Sequence, residues 1–226
     1  MNVLLKVIAI TMLVLTLNPL GEAWGQTPPS STQRSTYSGL HAAALTGDVE
    51  KIAELVGQGA KLEQRDSAGR TPLHVAVYQS NERAVSALVK AGANINAYEN
   101  DDYDAITIAA VANDLEMMNL AISLGGNPKN ITSPYVGTAL IAAAHLGHVE
   151  IVKSLIKAGS PLDHVNNLGW TALMESVVLG DGGPRHVEVA GALIEAGADV
   201  SITDRQGITP LERAKSRGYT EMIARF

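Results

Sequence analysis

Histidine is the side chain best suited to chemistry in this sequence. There are six: His41, His74, His145, His148, His164 and His186. An imidazole can bind a metal, move a proton or activate a nucleophile near neutral pH. His145 stands three residues before His148, which can bring two rings to one helix end. Two such ligands fall short of a zinc site, and the chain has no cysteine to add a third. Gly180-Asp181-Gly182-Gly183-Pro184 is glycine-rich but lacks the Lys-Ser/Thr of a phosphate loop. Asn130-Ile131-Thr132 forms a glycosylation sequon, a motif short enough that chance is the simpler account. No nucleophile with its base and no pair of tuned carboxylates can be assembled. The expectation is a protein without catalytic residues, without metal and without cofactor.

The elements that carry these residues recur. Taking the residue at the Thr71 position as a marker gives Ser38, Thr71, Asp104, Thr138, Thr171 and Thr209, at spacings of 33, 33, 34, 33 and 38. Each marker from Thr71 onward opens an apolar segment, and glycines follow the second segment of each unit at 59, 92, 125, 159 and 197. The pattern predicts two helices per unit, with the marker as N-cap and glycine where the second helix ends in a positive φ. Pro72 fits the first helical turn, where a missing N–H costs nothing. Ala76, Ala109 and Ala142 are read as the small residues that let helices approach. Leu88, Leu120, Leu155 and Leu193 are read as the apolar face of the second helices.

Thr71-Pro72-Leu73-His74-Val75-Ala76 and Gly147-His148-Val149-Glu150-Ile151-Val152, in a 33-residue unit, resemble the ankyrin-repeat family. The resemblance covers about Ser38 to Phe226 and implies an all-α solenoid of stacked helix pairs with short β-hairpin-like fingers. It also implies that His41, His74 and His148 fix loops through backbone bonds. Repeats bury apolar surface only against one another, so the ends need polar caps. Six units are expected, with Glu50, Lys51 and Glu54 capping the first. Arg213, Lys215, Arg217, Glu221 and Arg225 cap the last. The 38-residue spacing places a five-residue insertion near Asp181–His186, between the two helices of the fifth unit.

The first 25 residues stand apart. Lys6 precedes an apolar run from Val7 to Leu17, Asn18-Pro19 breaks it, and Ala23-Trp24-Gly25 puts small residues before Gln26. This is the layout of a cleaved signal peptide; eleven residues of helix span about 16 Å, against roughly 30 Å of hydrocarbon core. Export to the periplasm or outside the cell is expected, with no stable membrane insertion after cleavage. Residues 26–36, QTPPSSTQRST, are read as a disordered polar linker, and the repeat domain as 37–226.

The chain is 46% hydrophobic and 18% charged, with net charge −6, which gives no electrostatic reason to expect nucleic acid. Aromatic residues are scarce, at 4%. The family's variable, partner-facing positions are the finger tips and the exposed ends of the first helices. Tyr98 and Tyr103 fall on the second finger, Tyr135 on the third and Trp170 on the fourth. Tyr78 ends a first helix, and Arg70 shares the register of Tyr103 and Trp170. Tyr, Trp and Arg dominate binding hot spots, so these six are the candidate partner-binding residues, and Arg70, Tyr103 and Trp170 are expected to project in a row. The function expected is non-catalytic protein binding across the concave face. The alternative is a structural or stabilising role in a cell-envelope assembly.

Overall fold

A computed structural model describes residues 26–226. The leader expected at 1–25, and the cut after Gly25, lie outside the described residues. After a short helix α1 (Ser31–Thr36) come six helix pairs. These are α2 (Gly39–Thr46) with α3 (Val49–Gly57), α4 (Pro72–Tyr78) with α5 (Glu82–Lys90), and α6 (Ala105–Val111) with α7 (Leu115–Ser123). The series continues with α8 (Ala139–Leu146) and α9 (Val149–Lys157), α10 (Ala172–Val178) and α11 (Pro184–Glu195), and α12 (Pro210–Arg217) and α13 (Thr220–Ile223). The first helices stack in order from α2 through α12, and the second helices pack behind them, forming a solenoid. One isolated antiparallel bridge, Thr132 with Gly137, is the extent of β pairing among the described residues.

The marker residues are the N-caps. Side chains of Thr71, Asp104, Thr138, Thr171 and Thr209 each accept from the backbone N–H three residues on. Ser38, at the first marker, makes no such bond, and Gly39 follows it at φ 55°. Five residues past each marker stands a small, buried side chain: Ala43, Ala76, Ala109, Ala143, Ser176 and Ala214, none more than 4% exposed. This corrects the assignment of Ala142, which is half-buried. One residue turns a helix by about 100°, enough to take that methyl out of the contact and put Ala143 in it. The same slip affects Leu120, which is half-buried while Ala121 is fully buried beside Met117 and Met118. Leu88, Leu155 and Leu193 are fully buried as expected.

The polar ends behave differently from each other. Glu50, Lys51 and Glu54 are solvent-exposed on α3, and Lys51 pairs with Glu54 at 2.8 Å. At the far end Arg213 turns inward, its guanidinium bonding the buried Asp204 carboxylate through Nε at 2.7 Å and through Nη2. The extra residues of the fifth unit divide between a loop two residues longer than that of the second unit and an α11 three residues longer than α5. The loop is held inward. His186 Nδ1 meets Asp181 Oδ1 at 2.8 Å, His186 Nε2 bonds His145 O at 3.0 Å, and Tyr219 donates to Gly180 O at 3.1 Å.

The segment before the repeats, read from sequence as a disordered linker, contains α1. Ser30 and Gln33 make a reciprocal capping box, and the Tyr37 hydroxyl donates to Asp66 Oδ2 at 2.6 Å. No residue of α1 is buried, so hydrophobic periodicity has nothing to report there. The Ser-x-x-Gln cap is the signal that betrays it.

Candidate functional site: the finger row

Four of the five fingers are each built around one acceptor side chain, and the third is closed by the Thr132–Gly137 bridge. Asp66 Oδ1 accepts from the backbone N–H groups of Ala68 and Arg70, at 2.8 and 2.9 Å. Glu99 Oε1 does the same for Asp101 and Tyr103, Asn166 Oδ1 for Leu168 and Trp170, and Asp204 Oδ1 for Gln206 and Ile208. Backbone bonds close each of these turns, as from Asp66 N to Arg70 O at 3.0 Å and from Glu99 N to Tyr103 O at 3.1 Å. Neighbouring fingers are tied tip to tip. Asn100 N donates to Ala68 O, Ser133 N to Asp102 O, Asn167 N to Tyr135 O, and Arg205 Nη2 to Asn167 O. The row is therefore a bonded strip, which lowers the entropy lost when a partner settles on it.

Histidines secure the bases of the fingers. His41 Nε2 bonds Arg70 O at 2.9 Å and His74 Nε2 bonds Ala97 O at 3.0 Å. Burial pulls His74 down to about 4, so it is neutral at physiological pH and acts as a spacer. His148 Nδ1 bonds Ala110 O at 3.0 Å. The loop-fixing role implied for these three rings is what the geometry contains. Among the described residues no three His, Asp or Glu side chains gather as metal ligands would.

Arg70, Tyr103 and Trp170 do not form the expected projecting row. Arg70 is 1% exposed and Tyr103 is 4% exposed. Arg70 Nε donates to Asp66 Oδ2 at 2.9 Å, and its Nη1 donates to Thr27 O at 3.0 Å. Burial pushes the Asp66 carboxyl up, but bonds from Tyr37 and the Arg70 and Ala68 amides, with the Arg70 charge, outweigh it and hold the group below the usual carboxylate range. Tyr103 packs into the hydrophobic core, and burial raises its phenol well above the ordinary range. Arg70 and Tyr103 thus turn inward from the position just before an N-cap. Tyr78, Tyr98 and Trp170 are half-buried, and Tyr135 stands 46% exposed.

Tyr135 has neighbours that sequence reasoning passed over. Ile131 is 42% exposed, Val136 48% and Val165 44%. Three of these four sit on the third finger, which holds the one extra residue of the 34-residue spacing. Val136 adopts φ 55°, a left-handed conformation that a β-branched residue rarely accepts. It is pinned there by Val136 N to Ser133 O at 3.0 Å and by His164 Nε2 to Val136 O at 2.7 Å. Irregular spacing was the available signal, since an insertion in a tied ladder must bulge outward.

Comparison with known proteins matches a family model described as ankyrin repeats (3 copies) at residues 26–99 and 106–204. The chain belongs to the ankyrin-repeat family. It is 34% identical over 182 residues to the ankyrin repeat protein YahD of Escherichia coli (strain K12), covering 80% of this chain and 90% of that one. A crystal structure of an ankyrin repeat domain from Acinetobacter baumannii AYE superposes with TM-score 0.78 at 40% identity, covering 82% and 94% of the two chains. That of the ankyrin repeat protein EF0377 gives TM-score 0.77 at 31% identity, covering 84% and 98%.

Ankyrin repeats generally mediate protein–protein interaction and are typically non-catalytic, which directs attention to surface. No described helix is long and apolar enough to cross a membrane. The sequon asparagine of this ankyrin array has its amide in use, since Asn130 Nδ2 donates to Asp104 Oδ2 at 2.9 Å. One buried group has no such account. Glu175, 3% exposed on α10, receives Asn166 Nδ2 on Oε1 at 2.8 Å, but its Oε2 has no hydrogen-bond partner. His145 Nδ1 approaches Oε2 only to 3.6 Å.

Proposed function

We propose that this chain is a binding scaffold whose recognition surface centres on the tip of the third finger. The observation that carries the reading is the exposed apolar group Ile131, Tyr135 and Val136, flanked by Val165 and held on a strained backbone. Strain persists only where surroundings enforce it, and exposed apolar clusters on tied loops mark interaction sites. Trp170 on the next finger and Tyr98 on the previous one extend the strip. Net charge −6 favours a partner with basic groups at its rim.

The test is capture of the native partner by a Tyr135→Ala, Val136→Gly double variant. Removing a hot-spot aromatic and its neighbour should weaken capture about tenfold or more. Glycine accepts φ 55° without strain, so unfolding free energy should stay within about 0.5 kcal/mol. Glu54→Ala with Lys153→Ala, on the second helices, should leave capture intact. Undiminished capture by the finger variant would move the surface elsewhere.

We further propose that the protein is exported and works in the periplasm or outside the cell, on the strength of the apolar run Val7–Leu17 and Ala23-Trp24-Gly25. N-terminal sequencing of protein from its host should then begin at Gln26; a sequence starting at Met1 refutes it.

A further inference from the structure

The segment before α1 crosses the row of first helices. Gln26 Nε2 donates to Thr107 O on α6 at 3.0 Å, 81 positions away in sequence. Arg70, in the first finger, donates to Thr27 O at 3.0 Å. Pro29 is buried, although Thr27, Pro28 and Ser30 around it are exposed. The far end of the segment is fastened separately, by the Ser30–Gln33 capping box, by Gln33 Nε2 to Ser67 Oγ at 3.4 Å, and by Tyr37 to Asp66. The chain thus runs from the third repeat back to the first.

Its conformation follows from covalent structure. Two prolines fix their own φ, and each restricts the residue before it to extended angles. Ser30, next in line, has φ −63° and ψ 161°, within polyproline II geometry. Such a segment arrives already ordered, so little conformational entropy is lost when it docks. Its contacts are of the kind one peptide makes with another protein: one backbone carbonyl to a guanidinium, one amide to a carbonyl, and one proline ring out of water. Nothing in them depends on the segment being joined to the chain.

We propose that the surface between Arg70 and Thr107 is a binding site for an extended, uncharged, proline-bearing peptide segment, and that Gln26–Ser30 is its resident occupant. A partner with such a segment displaces the strap and then reaches the third finger. The inference rests on the protein-binding reading and adds the chemistry of the ligand. Tethering makes the strap a competitor at an effective concentration in the millimolar range. A free peptide that binds at about 0.1 mM should therefore appear about tenfold weaker against the intact protein than against one whose strap is released.

The probe is an acetylated, amidated peptide of sequence Gln-Thr-Pro-Pro-Ser-Ser, titrated calorimetrically into the purified protein and its Pro29→Asp variant. Pro29→Asp puts a charge where the ring was buried and should bind the peptide about tenfold tighter than the unaltered protein. Because Pro29 is buried, a Pro28→Gly, Pro29→Gly variant is measured alongside; it relaxes the extended bias without adding charge and should move in the same direction. Replacing both peptide prolines by alanine should weaken binding to either variant several-fold. Equal affinity across the unaltered and both strap variants, with melting preserved, overturns the strap as competitor. Equal affinity for the alanine peptide overturns the proline chemistry. Native-partner capture separates this from the wider reading. Loss of capture only in the Tyr135, Val136 variant, with Pro29→Asp capturing no more than the unaltered protein, would sink the strap and spare the finger.

Discussion

Asp66→Ala should cost this protein roughly 3–5 kcal/mol of unfolding free energy, among the largest single effects in the chain. The carboxylate receives the Ala68 and Arg70 amides on one oxygen and the Arg70 Nε and Tyr37 hydroxyl on the other. Truncation leaves a guanidinium that is 1% exposed without the carboxylate it is paired to, and breaking a buried pair by removing one partner is the costly case. Asp66→Asn separates the two halves of the effect. An amide oxygen can still hold the turn, as Asn166 Oδ1 does with Leu168 and Trp170, so the turn survives while the charge pairing and the bond from Arg70 Nε to the second oxygen are lost. Urea denaturation should rank the unaltered protein above Asp66→Asn, and Asp66→Ala last by a wide margin. A cost below about 1 kcal/mol for the alanine variant would mean that Arg70 finds solvent, and that its burial depends on the strap alone.

The same residue shows what the sequence made legible. The 33-residue period and the Thr-Pro-Leu-His motif were enough for a helix-pair solenoid, because caps, prolines and small residues are local chemistry that repeats. The acceptor register at Asp66, Glu99, Asn166 and Asp204 was equally periodic but chemically disguised. Carboxylates and an amide of two lengths do one job, so no single residue type recurs. Ala142 and Leu120 were misplaced by one position because alanine-rich helices present apolar side chains on every face. In such a helix hydrophobicity carries little phase; only contact with neighbours distinguishes Ala143 from Ala142.

Partner-facing residues were harder to read. Arg70 and Tyr103 belong to residue types common at interfaces, yet a ring or guanidinium serves equally well to close a finger base. Tyr135, a tyrosine on the third finger, stands at an exposed tip. Ile131 and Val136 were invisible, because an isolated aliphatic residue in a repeat looks like core. The strap was missed for the converse reason. Gln26–Ser30 carries no apolar pattern, and its order comes from two prolines and from contacts with residues 43 and 81 positions away.

Glu175→Gln should stabilise the protein, and increasingly so as pH rises. Glu175 stands four residues past its marker, where the second and third repeats have the fully buried Val75 and Ile108. Burial raises its carboxyl to about 7 from an ordinary 4.5, against the opposing bond from Asn166. Below pH 4.5 the group is protonated in folded and unfolded chains alike, and it carries no penalty. Between 4.5 and about 7 the unfolded chain ionises while the folded one holds its proton, so stability falls with pH. Above about 7 the loss levels off at roughly 3 kcal/mol for a shift of this size. The groups facing Glu175 do not cancel this. Asn166 is neutral, and His145 at 3.6 Å is itself lowered by burial and by His186, so it is uncharged where the carboxylate would need it. His145 has the opposite sign: its contribution is lost as pH falls below the ordinary histidine value. The difference between Glu175→Gln and the unaltered protein isolates the carboxyl. Glutamine keeps an oxygen for Asn166 and offers an N–H toward His145 Nδ1. Denaturant midpoints at pH 4, 6 and 8 should show near equality at the first, a gain at the second and the largest gain at the third. A pH-independent difference, or a destabilised variant at pH 8, would mean that Glu175 is ionised in the folded protein and that His145 is its counter-charge.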